Sequence, residues 1–310
     1  MLSPALLEQL RQEVQPDPAN QPLPAPQLRH PGTRSYSDIE FAAWEGYRPL
    51  LMDVHLPAAA GPAGLVVYLH GGGWMRGSRR RFPFAVSTFT EAGLALACID
   101  YRLSAEAIFP AQLRDVYAAL SWLAARGSEL DLDTSSVLLW GESAGAHLAA
   151  LAGLGAGDAA GETHAAATEP RPAIAGVVDW FGPADLPAMC DPADPHLREA
   201  RLIGGPIGER LAEARAASPV SHVGPNAPPF LIMHGTEDSL VPVTQSQVLA
   251  AALTGARAEV ELITVPGAEH GWLGMDDTGP LVASVRKFAE ERLGASRCRT
   301  ADRTTEEQGK

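Results

Sequence analysis

The chain has 310 residues, 46% of them hydrophobic, enough to bury a sizeable core in one large α/β domain with a small cap. Its 24 basic and 37 acidic residues give a formal net charge of −13, which disfavours nonspecific attraction to nucleic-acid phosphates or anionic membranes. Cys98, Cys190 and Cys298 are widely spaced, with no Cys-x-x-Cys pair to suggest zinc or a redox dithiol. The first residues lack the basic flank and apolar run of a signal peptide, and no apolar stretch approaches ~18 residues, so a cytoplasmic protein with no membrane span is expected.

In chain order, Leu6, Leu7 and Leu10 stand at helical spacing within residues 3 to 13. A proline-rich stretch from Pro16 to Pro31 follows, where regular structure is not expected, so residues 1–35 read as an N-terminal arm. Tyr36 to Trp44 and Leu50 to Leu56 predict an antiparallel hairpin around the Glu45-Gly46-Tyr47 turn. From Leu65 the pattern changes. Short apolar strands at 65–69, 94–99, 137–140, 174–180, 230–233 and 260–265 alternate with helix candidates at 83–91, 111–126, 143–153, 243–254 and 279–293. Unbroken apolar strands separated by helices predict a mostly parallel sheet covered on both faces. Residues 182–222, rich in Pro, Gly, Ala and charge, interrupt this alternation and read as a small cap insertion with a short helix near 207–216. Gly153 to Arg171 reads as a loop, and the polar residues 294–310 as a disordered tail.

In such sheets chemistry gathers beyond the strand C-terminal ends. His70 with its glycines, Asp100-Tyr101-Arg102, Ser143, Asp179, Asp238 and His270 all fall there. Gly141-Glu142-Ser143-Ala144-Gly145 joins a strand to a helix, the setting of a nucleophile elbow that lifts a serine hydroxyl onto the sheet edge. The same residues also describe a serine N-cap between two glycines. An activated serine needs a base, an acid to orient it, and N–H donors for an oxyanion. His270, in the loop after the last strand, is the best-placed base; His147, inside the helix after the serine, reads as a packing or surface residue, while His222 and His234 are harder to dismiss, His234 reading as a support for the acid's turn. Asp238 is the best-placed acid, with Glu237 its neighbour and competitor. His70-Gly71-Gly72-Gly73-Trp74 offers close backbone approach to an oxyanion; it also fits a flexible loop, whereas a phosphate cradle would need a Gly-Lys-Ser/Thr ending. Trp74, Trp180 and Trp272 each follow a strand and read either as walls of a substrate pocket or as core beneath it.

Together His70-Gly71-Gly72-Gly73-Trp74, Asp100-Tyr101-Arg102-Leu103, the pentapeptide at 141–145, His234-Gly235-x-x-Asp238 with Val241-Pro242, and His270-Gly271 resemble the α/β-hydrolase esterases of the hormone-sensitive-lipase type. Asp53-Val54-His55-Leu56-Pro57 and Glu142 make the chain more similar to the bacterial branch of acetyl xylan and feruloyl esterases. The resemblance runs from about residue 36 to 293 and implies an α/β-hydrolase catalytic domain over that span. It implies Ser143 as nucleophile, His270 as general base and acid, Asp238 as orienting carboxylate, and Gly71, Gly72 and Ala144 as oxyanion-hole donors. One departure is Ala146, where many relatives carry a further glycine. The implied activity is hydrolysis of a small short-chain acyl ester, on acetylated or feruloylated carbohydrate among other candidates, with no metal and no other cofactor. An arylformamidase-like amide hydrolase and a non-catalytic ligand-binding module on the same fold are the alternatives. Oligomeric state is not legible from these residues.

Overall fold

In a computed structural model the described residues are 18–307 apart from 31, 60, 83, 85, 157–169 and 190, with side chains of the last helix described only as far as residue 294. The helix expected within residues 3 to 13, most of the loop from 153 to 171, and Cys190 lie outside them. Among the described residues the strands are β1 Gln27–His30, β2 Thr33–Ala42, β3 Leu50–Pro57, β4 Ala63–Leu69, β5 Leu94–Ile99, β6 Leu132–Glu142, β7 Ala173–Trp180, β8 Phe230–Gly235 and β9 Val260–Val265. They form one sheet in the order β1-β2-β3-β5-β4-β6-β7-β8-β9. The β1/β2, β2/β3 and β3/β5 pairs are antiparallel and all later pairs parallel. Helices are α1 Ser87–Thr90, α2 Ala111–Arg126, α3 Ala144–Gly153, α4 Leu186–Met189, α5 Arg198–Ile203, α6 Leu211–Ala216, α7 Thr244–Gly255 and α8 Gly279–Glu307. This is the α/β-hydrolase architecture.

The strand sequences are apolar without alternation because both sheet faces are covered. Leu65, Val67, Leu69, Val137 and Leu139 pack with residues of α2, α3 and α7 on one face. Val66, Tyr68, Leu138 and Trp140 pack with Phe89 of α1 and with Leu281, Val285 and Phe288 of α8 on the other. Each fully buried side chain of this size contributes about 1.5–3 kcal/mol, so the central strands hold the layers together.

Three elements differ from the sequence expectation. Gln27–His30 forms an edge strand inside the proline-rich stretch, because Pro26 and Pro31 flank it rather than interrupt it. Of the helix expected at 83–91, the described residues form only the single turn α1. Helix α8 continues through most of the segment read as a disordered tail; residues 294–307 contain no proline to stop it. No helix among the described residues is long and apolar enough to cross a membrane.

The strand order positions the site. From β4 the chain moves one way to β5 and then returns past it to β6, so the direction of winding reverses between β4 and β6. Such a switch point opens a crevice beyond the strand ends. Leu69 pairs with Gly141, and Gly141 with Asp179, which brings the loops after β4, β6 and β7 to one edge.

Candidate active site

Ser143 stands between β6 and α3 with φ 53° and ψ −117°. The two glycines around it are required by close approach. A Cβ on Gly145 would lie 2.1 Å from the Leu69 carbonyl oxygen, and one on Gly141 would lie 2.2 Å from the Gly145 carbonyl carbon. The Ser143 N–H donates to Trp180 O at 2.8 Å, which ties the turn to β7. Trp74 (φ 56°), Phe181 (φ 46°) and Trp272 (φ 64°) share the left-handed region with Ser143 and surround the same edge. Bulky residues seldom adopt this conformation, and such strain concentrates at functional sites.

His270 Nε2 lies 3.0 Å from Ser143 Oγ, and its Nδ1 lies 2.7 Å from Asp238 Oδ2. The other carboxylate oxygen of Asp238 accepts the N–H groups of Leu240 and Val241 at 2.9 and 2.8 Å. Burial pushes the Asp238 carboxyl up, but hydrogen bonds from His234, His270 and the Val241 N–H outweigh it and hold the group well below the usual carboxylate range. Buried His234 is the second support. Its Nε2 is 2.9 Å from Val241 O and 3.2 Å from Asp238 Oδ2, while its Nδ1 accepts the Ser246 hydroxyl at 2.7 Å. Glu237 is exposed, with its backbone N–H on Ala268 O, and does not compete for His270.

His147 and His222 face backbone carbonyls instead. His147 is buried beneath the elbow, 3.2 Å from the Trp74 Nε1–H it accepts and 2.6 Å from Ala217 O; burial lowers its pKa to about 4. His222 lies 2.7 Å from Ala216 O.

The loop after β4 turns tightly over the sheet edge. Its anchor is buried Arg79, whose guanidinium meets Asp53 and Asp100 at 2.9 Å each and also Asp38. His70 stacks on Tyr101 with ring centroids 4.3 Å apart, and the Tyr101 hydroxyl donates to His70 O at 2.9 Å. Among the three expected oxyanion donors, Gly71 departs from expectation: its N–H faces Glu142 Oε1 at 3.4 Å. Burial pushes the Glu142 carboxyl up, against the pull of that N–H. The first N–H of α3, from Ala144, has no carbonyl of its own helix to bond. No protein acceptor is recorded for the Gly72 N–H among the described residues.

Trp74, Trp180 and Trp272 do not wall the cleft, contrary to one of the two sequence readings. They are 1%, 0% and 3% exposed and pack beneath it, Trp180 edge-on to Trp140 and Trp272. A side chain just after a parallel strand can turn down into the layer as readily as up, and these turn down. The cleft, about 500 Å³, is lined instead by the glycine loop, Met75, Arg76, Arg81, Phe82, Phe181, Arg198 and Leu240 around Ser143 and His270. Phe181 lies edge-on to His270 at 4.7 Å. It follows Trp180 directly at the end of β7, so the strand-end rule could have found it; the arginines belong to no motif. Among the described residues no group of three or more His, Cys, Asp and Glu side chains is placed to hold a metal ion.

Comparison with known proteins agrees with this architecture. A model of the family described as BD-FAE matches residues 52–253. Esterase LipC of Mycobacterium tuberculosis is 31% identical over 237 residues, 74% of this chain and 59% of its own length. Esterase LipQ of the same organism is 31% identical over 260 residues, 81% of this chain and 60% of its own. The chain thus spans about three fifths of these curated relatives. A truncated carbohydrate esterase from gut microbiota superposes with a TM-score of 0.74 at 28% identity, covering 84% of this chain and 96% of that one.

Proposed function

The chain belongs to the BD-FAE family, and from that premise we propose that it is a serine carboxylesterase for short-chain acyl esters. The observation that carries the reading is the unbroken relay from Ser143 Oγ through His270 to Asp238, 3.0 and 2.7 Å long. In the proposed mechanism Ser143 Oγ attacks the ester carbonyl carbon while its proton passes to His270 Nε2. Asp238 accepts the Nδ1–H, fixing the tautomer in which Nε2 is free to take that proton, and stabilises the imidazolium that results. The N–H groups of Gly72 and Ala144 receive the developing oxyanion, each contributing about 100- to 1000-fold in turnover. Collapse breaks the bond to the alcohol, which leaves with the proton from His270; water, deprotonated by the same histidine, then releases the acid from Ser143.

The names of the relatives and of the superposing carbohydrate esterase support an ester, with acetylated or feruloylated carbohydrate within the range proposed. The net charge of −13 supports a small molecule rather than nucleic acid as ligand, and the buried free thiol of Cys98 is in keeping with the cytoplasmic location we assign.

The test is hydrolysis of 4-nitrophenyl acetate together with labelling by a fluorophosphonate. Ser143→Ala is expected to lose about 10⁴-fold or more in kcat and all labelling, and Asp238→Asn to lose far more than Glu237→Gln. Undiminished turnover by Ser143→Ala at wild-type circular dichroism would refute the assignment. Faster turnover of an aryl formamide than of any ester would move the reading to an amide hydrolase.

A further inference from the structure

Three arginines surround the cleft, and among the described residues none of them forms an ion pair. Exposed Arg76 and Arg81 come from the loop after β4, and half-buried Arg198 opens α5 on the insertion between β7 and β8. Other arginines nearby are committed: Arg79 to Asp53 and Asp100, Arg48 to Glu106, Arg102 to Asp115. Among the described residues the one carboxylate lining the same cleft is Glu142, which turns toward the Gly71 N–H and lies within the electrostatic reach of Arg81. The lining thus holds three cations and one anion in a molecule whose acidic residues outnumber the basic by 37 to 24. The charge balance is inverted where substrate must enter.

The arrangement is built into the backbone. A Cβ at Gly73, where φ is +61°, would lie 2.6 Å from Arg198 Cδ, so glycine lets the arginine stem lie flat across the loop. A Cβ at Gly72 would lie 2.0 Å from the Arg76 carbonyl oxygen, so a second glycine lets the turn carrying Arg76 fold back over the cleft floor. Met75, Phe82, Phe181 and Leu240 supply apolar surface between the charges. Guanidinium groups are planar forks that match a carboxylate in two hydrogen bonds, and they gain strength where apolar neighbours exclude water.

We propose that the preferred substrate of this site is an ester that also carries a carboxylate, held by Arg76, Arg81 and Arg198 beside the scissile bond. The inference rests on the esterase reading and narrows it to a substrate class. With Glu142 offsetting one of the three, two guanidinium charges remain to face the planar carboxylate. The carboxylate can belong to the acyl or to the alcohol portion, and two matched pairs distinguish these. On the acyl side, 4-nitrophenyl hydrogen adipate is compared with its methyl ester; on the alcohol side, 4-acetoxybenzoate is compared with methyl 4-acetoxybenzoate.

All rates are measured on the full chain and corrected for the rate with Ser143→Ala. In one pair the charged member is expected to exceed its neutral partner in kcat/KM by about tenfold at low salt, mainly through a lower KM. The preference is expected to shrink several-fold in about 0.5 M NaCl, and the ratio to fall toward one in Arg76→Gln/Arg198→Gln. Charged members no better than neutral ones in both pairs, with neutral esters still turned over through Ser143, would overturn the carboxylate inference and leave the esterase reading standing. No turnover of any ester would overturn both.

Discussion

Asp238 and Asp179 lie close to the same sheet edge and titrate in opposite directions. Asp238 is fully supplied with donors and is held low, so its contribution to stability is present above the ordinary aspartate range and is lost only as pH falls through its depressed value. Asp179 is buried; Oδ1 accepts the Gly182 N–H at 2.8 Å, and Oδ2 has no hydrogen-bond partner. Burial raises its pKa to about 6, against the Gly182 N–H and nearby His234. The folded state therefore keeps a proton that the unfolded chain releases near pH 4, and the associated stability is lost as pH rises from about 4 to about 6. At neutral pH the buried charge costs about 3 kcal/mol. Asp179→Asn keeps the acceptor for Gly182 and removes the charge. Its thermal midpoint relative to wild type is expected to be several degrees more favourable at pH 8 than at pH 4, as differential scanning calorimetry would read; an equal difference at both pH values would contradict the assignment.

At the scale of elements, the elbow is held by contacts between backbones rather than side chains. Gly145→Ala would press a methyl against the carbonyls of Leu69 and His70, at 2.1 and 2.6 Å, so β4 and α3 must separate. The expected cost is about 1–3 kcal/mol or more in urea denaturation, with loss of activity. Gly255→Ala, at the end of α7 with nothing within 4 Å, is the control and should be neutral or stabilising by about 0.4–1 kcal/mol. Such contacts explain what was legible in the sequence. The pentapeptide at 141–145, Asp238 and His270 could be read because each occupies a fixed place after an apolar strand. Arg198 could not: α5 is six residues long, and its position over Gly73 comes from the folding of the insertion rather than from a repeating pattern. Trp180 shows the same limit from the other side, since periodicity places it at a strand end without saying which way the ring turns.

For the molecule as a whole, the parallel half of the sheet carries the cleft, and the antiparallel half carries the arm. Residues from Pro18 dock against α2: Trp122 Nε1 donates to Pro18 O at 3.3 Å, and Arg126 Nη1 to Gln21 O at 2.7 Å. None of these residues lines the cleft. Arg126→Ala should therefore speed hydrogen exchange in residues 20–30 by about tenfold, the loss of roughly one good hydrogen bond, and leave ester turnover unchanged. The docking of this arm was not legible beforehand, because proline content excludes helix but does not choose a docking surface. The tryptophan layer has a further use. Trp140, Trp180 and Trp272 are linked edge to face at 4.9 and 5.2 Å, and Phe181 connects Trp272 at 4.9 Å to His270 at 4.7 Å. Indoles held in so dry a layer emit at shorter wavelength than exposed ones, so a group attached to Ser143 that displaces His270 is expected to change the intrinsic fluorescence of the unlabelled protein.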